Sequence, residues 1–148
     1  MNTPVSDMLR IKGSAVETIR PTATILEAVK RMTERRIGCL AVVASNGRLS
    51  GIVSERDCLW KTLATEESPR KTLVKDKMTP IHKMSTVTPT HTVDDCMSLM
   101  TSGRHRHLLV LENNKLVGLI SIGDVVKHIL GDQQATIQSL QKYIEGSL

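Results

Sequence analysis

Two halves of this 148-residue chain spell the same pattern, and that repeat limits what it can fold into more than any other feature. Val5 and Asp7 align with Val74 and Asp76, and Pro21, Thr22 and Thr24 with Pro89, Thr90 and Thr92. Met32 and Thr33 align with Met100 and Thr101, and Leu40 and Val42 with Leu108 and Val110. Leu49, Gly51, Ser54, Asp57 and Leu63 align with Leu116, Gly118, Ser121, Asp124 and Leu130. The offset drifts from 69 (Val5 to Val74) through 68 (Pro21 to Pro89) to 67 (Leu49 to Leu116), as two single-residue indels in loops would produce. A copy of about sixty residues buries its apolar faces poorly alone, so the two must complete a shared core.

Each copy predicts the same order of elements: an extended segment, a helix, a hairpin and a second helix. This is an α/β (α+β) fold. Thr24 with Glu27, and Thr92 with Asp95, have the spacing of a helix N-cap and its reciprocal acid. Behind them Ile25, Ala28, Val29 and Met32, and then Val93, Cys96, Met97 and Met100, place one apolar stripe on each helix. Gly38 and Gly103 mark the expected helix ends. Asn46-Gly47, and Asn113 with Asn114, fall between short β-type runs, the signal of a tight hairpin. The second helices are expected over about Glu55 to Leu63 and Ile122 to Leu130. The resulting organisation is a first unit over 5–63, a linker over 64–73, a second unit over 74–131 and an amphipathic helix over 132–148. That last helix carries Ile137, Leu140, Tyr143 and Ile144 on one side, and a partner subunit is the expected cover.

Composition narrows the function. Lys and Arg outnumber Asp and Glu by 20 to 15, a net charge of +5 that favours anionic partners. Trp60 and Tyr143 are the only aromatics, too few for a base-stacking platform. Cys39, Cys58 and Cys96 are odd in number, lie in apolar runs and form no CxxC pair. They fit free thiols in a reducing compartment better than a disulfide framework or a zinc ribbon. No apolar run approaches the ~20 residues that span a bilayer, and residues 1–7 lack a secretory pattern. The expected location is cytoplasmic, with no membrane partner.

The chemistry gathers where each hairpin runs into its second helix. The segments there are Gly51-Ile52-Val53-Ser54-Glu55-Arg56-Asp57 and Gly118-Leu119-Ile120-Ser121-Ile122-Gly123-Asp124. Ser followed by an acid three residues later is a capping pattern, and Gly permits close packing. The same geometry suits a nucleotide: a helix start attracts phosphate, Ser adds a hydroxyl, and Asp can accept both hydroxyls of a ribose. No GxxxxGK[ST] loop is present.

The repeated G-h-h-S-x-x-D (h apolar), with the capped helix and hairpin before it, resembles the CBS domain. The two copies resemble a stand-alone CBS pair from about residue 5 to 131, an adenosine-nucleotide-sensing module. Residues 36–43, Ser54-Glu55-Arg56-Asp57, Arg106-His107-Leu108, residues 121–126 and residues 140–146 are similar to small proteins made only of such a pair. The resemblance implies two CBS units packed through their sheets, homodimers, and adenosine ligands (AMP, ADP, ATP, NAD(H) or S-adenosylmethionine) in the clefts. It implies that Asp57 and Asp124 hold ribose and that Ser54 and Ser121 sit by phosphate. Thr18 with Ile19, and Thr86 with Val87, would lend backbone contacts to adenine. Ile37, Gly38 and Cys39, with His107 and Leu108, would line the pockets.

The copies differ in their cations. The first has Arg56 where the second has Gly123, and the second has Arg104 and Arg106 before its hairpin. Guanidinium groups suit phosphate, so two unequal sites are expected. The reading is a regulatory protein without a catalytic cofactor, not an enzyme, that signals to a protein partner. The rivals are a basic nucleic-acid-binding protein, a metal site at His105 and His107, and a small catalytic protein. The nucleic-acid rival lacks a helix-turn-helix pattern and any basic run longer than two. Two histidines flanked by arginines are short of the three or four ligands a metal needs, and no nucleophile–base pair stands out.

Overall fold

The computed structural model describes residues 3–13, 15–103 and 105–146, with side chains except at 132, 133, 135, 136, 143, 145 and 146. Arg104 and the side chain of Tyr143 lie outside this description. The chain forms two compact units, one of residues 15–84 and one of residues 1–14 with 85–148. The first helix, α1 (Val5–Lys12), belongs to the second of these.

The unit 15–84 runs through β1 (Thr18–Ile19), α2 (Ile25–Arg35), β2 (Cys39–Val43), β3 (Leu49–Ser54) and α3 (Glu55–Cys58). A π-helical turn over Leu59–Leu63 follows, then α4 (Val74–Lys77) and β4 (Thr79–Pro80). Thr24 caps α2 as expected: its hydroxyl accepts the Glu27 N–H at 3.2 Å, and the Glu27 carboxylate accepts the Thr24 N–H. Ile25, Ala28 and Met32 are buried, but Val29 faces out. The helix ends two residues earlier than Gly38 suggested, on Arg36 in the left-handed conformation at φ 55°. Its N–H closes back on the last turn, which offsets the cost of a side chain there. The sheet has the order β1-β2-β3-β4, with β1 parallel to β2 and the other pairs antiparallel.

The second unit repeats the plan with β5 (Thr86–Val87), α5 (Val93–Gly103), β6 (His107–Glu112), β7 (Lys115–Ser121) and α6 (Ile122–Gly146). Thr92 and Asp95 form the matching cap. Asn113 and Asn114 both take positive φ, the mirror-image turn whose twist suits a two-residue hairpin. The second helix was expected to stop near Leu130. Instead α6 is one continuous helix through Gly131 to Gly146, and Ile137, Leu140 and Ile144 are exposed along it. No helix among the described residues is long and apolar enough to cross a membrane.

The two lead segments are exchanged. Residues 74–80 precede the second copy in sequence but complete the first sheet, while α1 precedes the first copy but docks on the second. The docking bonds repeat with the sequence: Val5 and Ser6 N–H donate to the carbonyls of His91 and Pro89, and Val74 and Lys75 N–H to those of Ala23 and Pro21. Val5, Met8 and Leu9 enter the core formed by Val87, Val93, Cys96, Leu108, Val110 and Ile120. The counterpart core gathers Ile19, Ile25, Ala28, Met32, Leu40, Val42, Val53, Cys58 and Val74.

This exchange explains the glycine of each G-h-h-S-x-x-D. A Cβ on Gly51 would lie 2.2 Å from the Thr79 carbonyl oxygen of β4, and one on Gly118 would lie 2.6 Å from Leu9 Cδ2 of α1. Each glycine is the seat of a lead segment.

Candidate functional site

At the first junction, β3 ends on Ser54 directly opposite Cys39 of β2. The Ser54 N–H donates to Asp57 Oδ2 at 2.8 Å, its hydroxyl donates to the same oxygen at 3.2 Å, and the Asp57 N–H closes the box on Ser54 Oγ. Lys61, one turn on, sits 2.7 Å from Asp57 Oδ1 and also donates to the Lys77 carbonyl. Asp57 is 4% exposed with both carboxylate oxygens engaged. The Thr62 hydroxyl donates to the Asp57 carbonyl inside the π-helical turn. Capping chemistry therefore accounts for Ser54 and Asp57.

The second junction shares the frame but not the environment. The Ser121 N–H donates to Asp124 Oδ2 at 2.8 Å and the Asp124 N–H to Ser121 Oγ at 3.2 Å. Here the cation comes from α1: Lys12 donates to Asp124 Oδ2 at 2.5 Å and to the Leu119 carbonyl at 2.6 Å. Asp124 is only partly buried. Burial alone would raise its pKa, but the Lys12 ammonium and the Ser121 N–H together hold the carboxyl below its usual range.

The other expected residues separate into groups. Gly38 and Arg106 occupy matching places, their carbonyls accepting the N–H of Glu55 and Ile122 at 2.9 Å. Cys39 and His107 pair across the hairpins with Ser54 and Ser121, and Leu108 is buried opposite Ile120. Ile37 and Gly38 line a pocket of about 450 Å³ with Met32, Cys58, Leu59 and Leu63. Thr18 and Ile19 lie beyond β2, facing Ala41 and Val42, and the Thr18 carbonyl accepts from the Arg31 guanidinium. Thr86 and Val87 hold the same place beside Leu109 and Val110. Ile19 and Val87 are core side chains, so any ligand contact from them is through backbone. Arg56 lies over the Trp60 ring at 4.7 Å, a cation–π contact rather than a part of the Asp57 network. No group of three metal-ligating side chains is present among the described residues.

Sequence reasoning missed Lys12 and Lys61. The Asp57–Lys61 spacing is an ordinary i,i+4 helix pair and was open to reading. Nothing local connects Lys12 to Asp124.

Comparison with known proteins agrees with this construction. The CBS domain family model matches residues 2–62 and 74–131. The chain is 36% identical over 151 residues to the mitochondrial CBS domain-containing protein CBSX3 of Arabidopsis thaliana, covering 98% of this chain and 73% of that one. A CBS-domain protein of Burkholderia ambifaria is 41% identical and superposes with a TM-score of 0.82, covering 88% of this chain and 96% of its own. CBSX2 in complex with AMP shares the fold at 24% identity and a TM-score of 0.70, over 88% of this chain and 98% of its own. The chain belongs to the CBS domain family, as two tandem copies of the domain.

Proposed function

We propose that this CBS pair is a regulatory protein that binds an adenosine nucleotide such as AMP, ADP, ATP or NAD(H), with Asp124 accepting the ribose hydroxyls. One observation carries the reading: the Ser-x-x-Asp junction recurs, and in the second copy its carboxylate is charged, partly exposed and beside a cavity. That CBSX2 holds AMP on the same fold supports the ligand class. The first copy, with Asp57 sealed, is the weaker site. Ligand binding alters the pair by differential affinity for two arrangements, and a partner protein reads the change.

A homodimer fits exposed apolar residues on each copy. Val29, Leu59 and Leu63 on the first copy, and Met97, Val126 and Leu130 on the second, are exposed apolar residues at equivalent repeat positions. Contact with a second copy would bury these residues. Cys39, Cys58 and Cys96 are buried thiols outside any disulfide among the described residues, which suits a reducing compartment.

Calorimetry with AMP, ATP and NADH tests the ligand. Asp124→Ala removes the ribose hydrogen bonds and should weaken binding by about 1.5–3 kcal/mol, roughly ten- to a hundredfold. If wild type binds none of the three below millimolar, the reading fails. Duplex DNA that binds tightly at moderate salt, uncompeted by free nucleotide, would favour the nucleic-acid rival.

A further inference from the structure

Helices α1 and α6 bound an open pocket of about 430 Å³, lined by Met8, Ile11, Lys12, Asp124, Lys127 and His128. That is within the roughly 300–1,000 Å³ of small-molecule sites. Met8 and Ile11 of α1 form its apolar wall, and Lys12 at the end of α1 faces Asp124 and Lys127 of α6. Lys12 and Lys127 against Asp124 leave one positive charge in excess among these three side chains.

Lys12 organises these charges. An ammonium has three N–H donors. Two of them engage Asp124 Oδ2 and the Leu119 carbonyl, so one remains for a ligand among the described contacts. The Ser121 N–H also uses Oδ2, so the described hydrogen bonds leave Asp124 Oδ1 with its accepting capacity. A lysine here lets an anion and a carboxylate share one pocket, because the ammonium lies against the carboxylate and screens it. The first copy has no equivalent. Its aspartate is served by Lys61 of the same helical segment, and the repeat places Ile81 at the position of Lys12.

We propose that this pocket is a phosphate site, in which Lys12 and Lys127 hold the phosphate of a nucleotide whose ribose lies on Asp124. Lys12 is then the residue that selects a nucleoside phosphate over the bare nucleoside. The ribose half rests on the nucleotide reading above. The phosphate half stands on the pocket and its cations.

The test compares AMP, adenosine and inorganic pyrophosphate on wild type, Lys12→Met, Lys12→Arg and Lys127→Met. Wild type should prefer AMP to adenosine by at least about tenfold, as loss of one charge-assisted hydrogen bond implies. Lys12→Met should erase most of that preference. Lys12→Arg should retain it, and Lys127→Met should lose part of it. Pyrophosphate alone should shift the Lys12 and Lys127 side-chain NMR signals. An AMP-to-adenosine ratio unchanged in Lys12→Met overturns the proposal and leaves the nucleotide reading intact. Pyrophosphate shifts without binding of AMP or adenosine would uphold the phosphate site and overturn the nucleotide reading. Absence of all binding overturns both.

Discussion

Replacing Gly51 by Ala should damage this protein far more than the same change at Gly118, although the repeat makes the two positions equivalent. A Cβ at Gly51 meets backbone: Thr79 O at 2.2 Å and Pro80 Cα at 3.0 Å. Ordinary contact needs roughly 3.4 Å, so β4 must retreat by about 1 Å. Its pairing to Gly51 and Ile52 goes with it. Overpacking costs about 1–3 kcal/mol, and each hydrogen bond lost adds about 0.5–1.5 kcal/mol. A total of about 2–4 kcal/mol follows, or roughly 6–12 °C in Tm for a chain of this size. At Gly118 the obstacle is the end of the Leu9 side chain, at 2.6 and 2.9 Å. Rotation of that side chain should limit the loss to about 1 kcal/mol. Urea and thermal unfolding of both variants measure the difference. In a Leu9→Ala background Gly118→Ala should become neutral or slightly stabilising, because the obstacle is gone and the unfolded chain is stiffer. Equal losses at the two glycines, or a loss at Gly51 under about 0.5 kcal/mol, would refute the account of these positions as seats for the lead segments.

Lys12→Met should lower stability near neutrality. Asp124 is held below its usual range when folded, so the stability it supplies is present above the ordinary carboxylate pKa of about 4. It is lost as pH falls through the lower folded value, and the gap between wild type and variant in urea midpoints should close there. A gap that persists at low pH would point to packing instead. Burial first, then the Asp57 and Glu55 carboxylates, push the Cys58 thiol up to about 11, and burial with Asp95 does the same to Cys96. Both should resist thiol reagents at pH 8 in the native protein and react once unfolded; rapid native labelling of Cys58 would contradict its burial. Leu63 and Leu130 are exposed, so changing both to Glu should leave the fold intact and shift sedimentation from dimer to monomer. A wild type that sediments as a monomer at micromolar concentration would remove the basis for that interface.

What could be read from the sequence was local. The caps at Thr24 and Thr92 are i,i+3 patterns, and the turns at Gly47 and Asn113 follow from backbone handedness, so each is complete within a few residues. The stripes held at six of their eight positions: Val29 and Met97 matched the period but face outward, because a period cannot say how wide the covered face is. The second helix was expected to end near Leu130, yet the glycine at 131 costs a helix only about 1 kcal/mol and α6 runs through it. The Lys12–Asp124 contact spans 112 positions, and no periodicity carries information over that distance. The alignment of Val5 with Val74 showed that two lead segments exist, but not that each serves the other copy.

The crossed lead segments also set a timetable. As the chain leaves the ribosome, α1 emerges before the rest of the pair with Val5, Met8 and Leu9 and has no core to enter until β6, β7 and the start of α6 follow. About a hundred residues separate them, which at about 5–20 residues per second is roughly 5–20 s of waiting. The unit 15–84 is contiguous and can close as soon as β4 appears. Synthesis thus favours an order in which the middle of the chain folds first. The N-terminal helix, with Lys12 at its end, is fixed in place only when the last unit is finished.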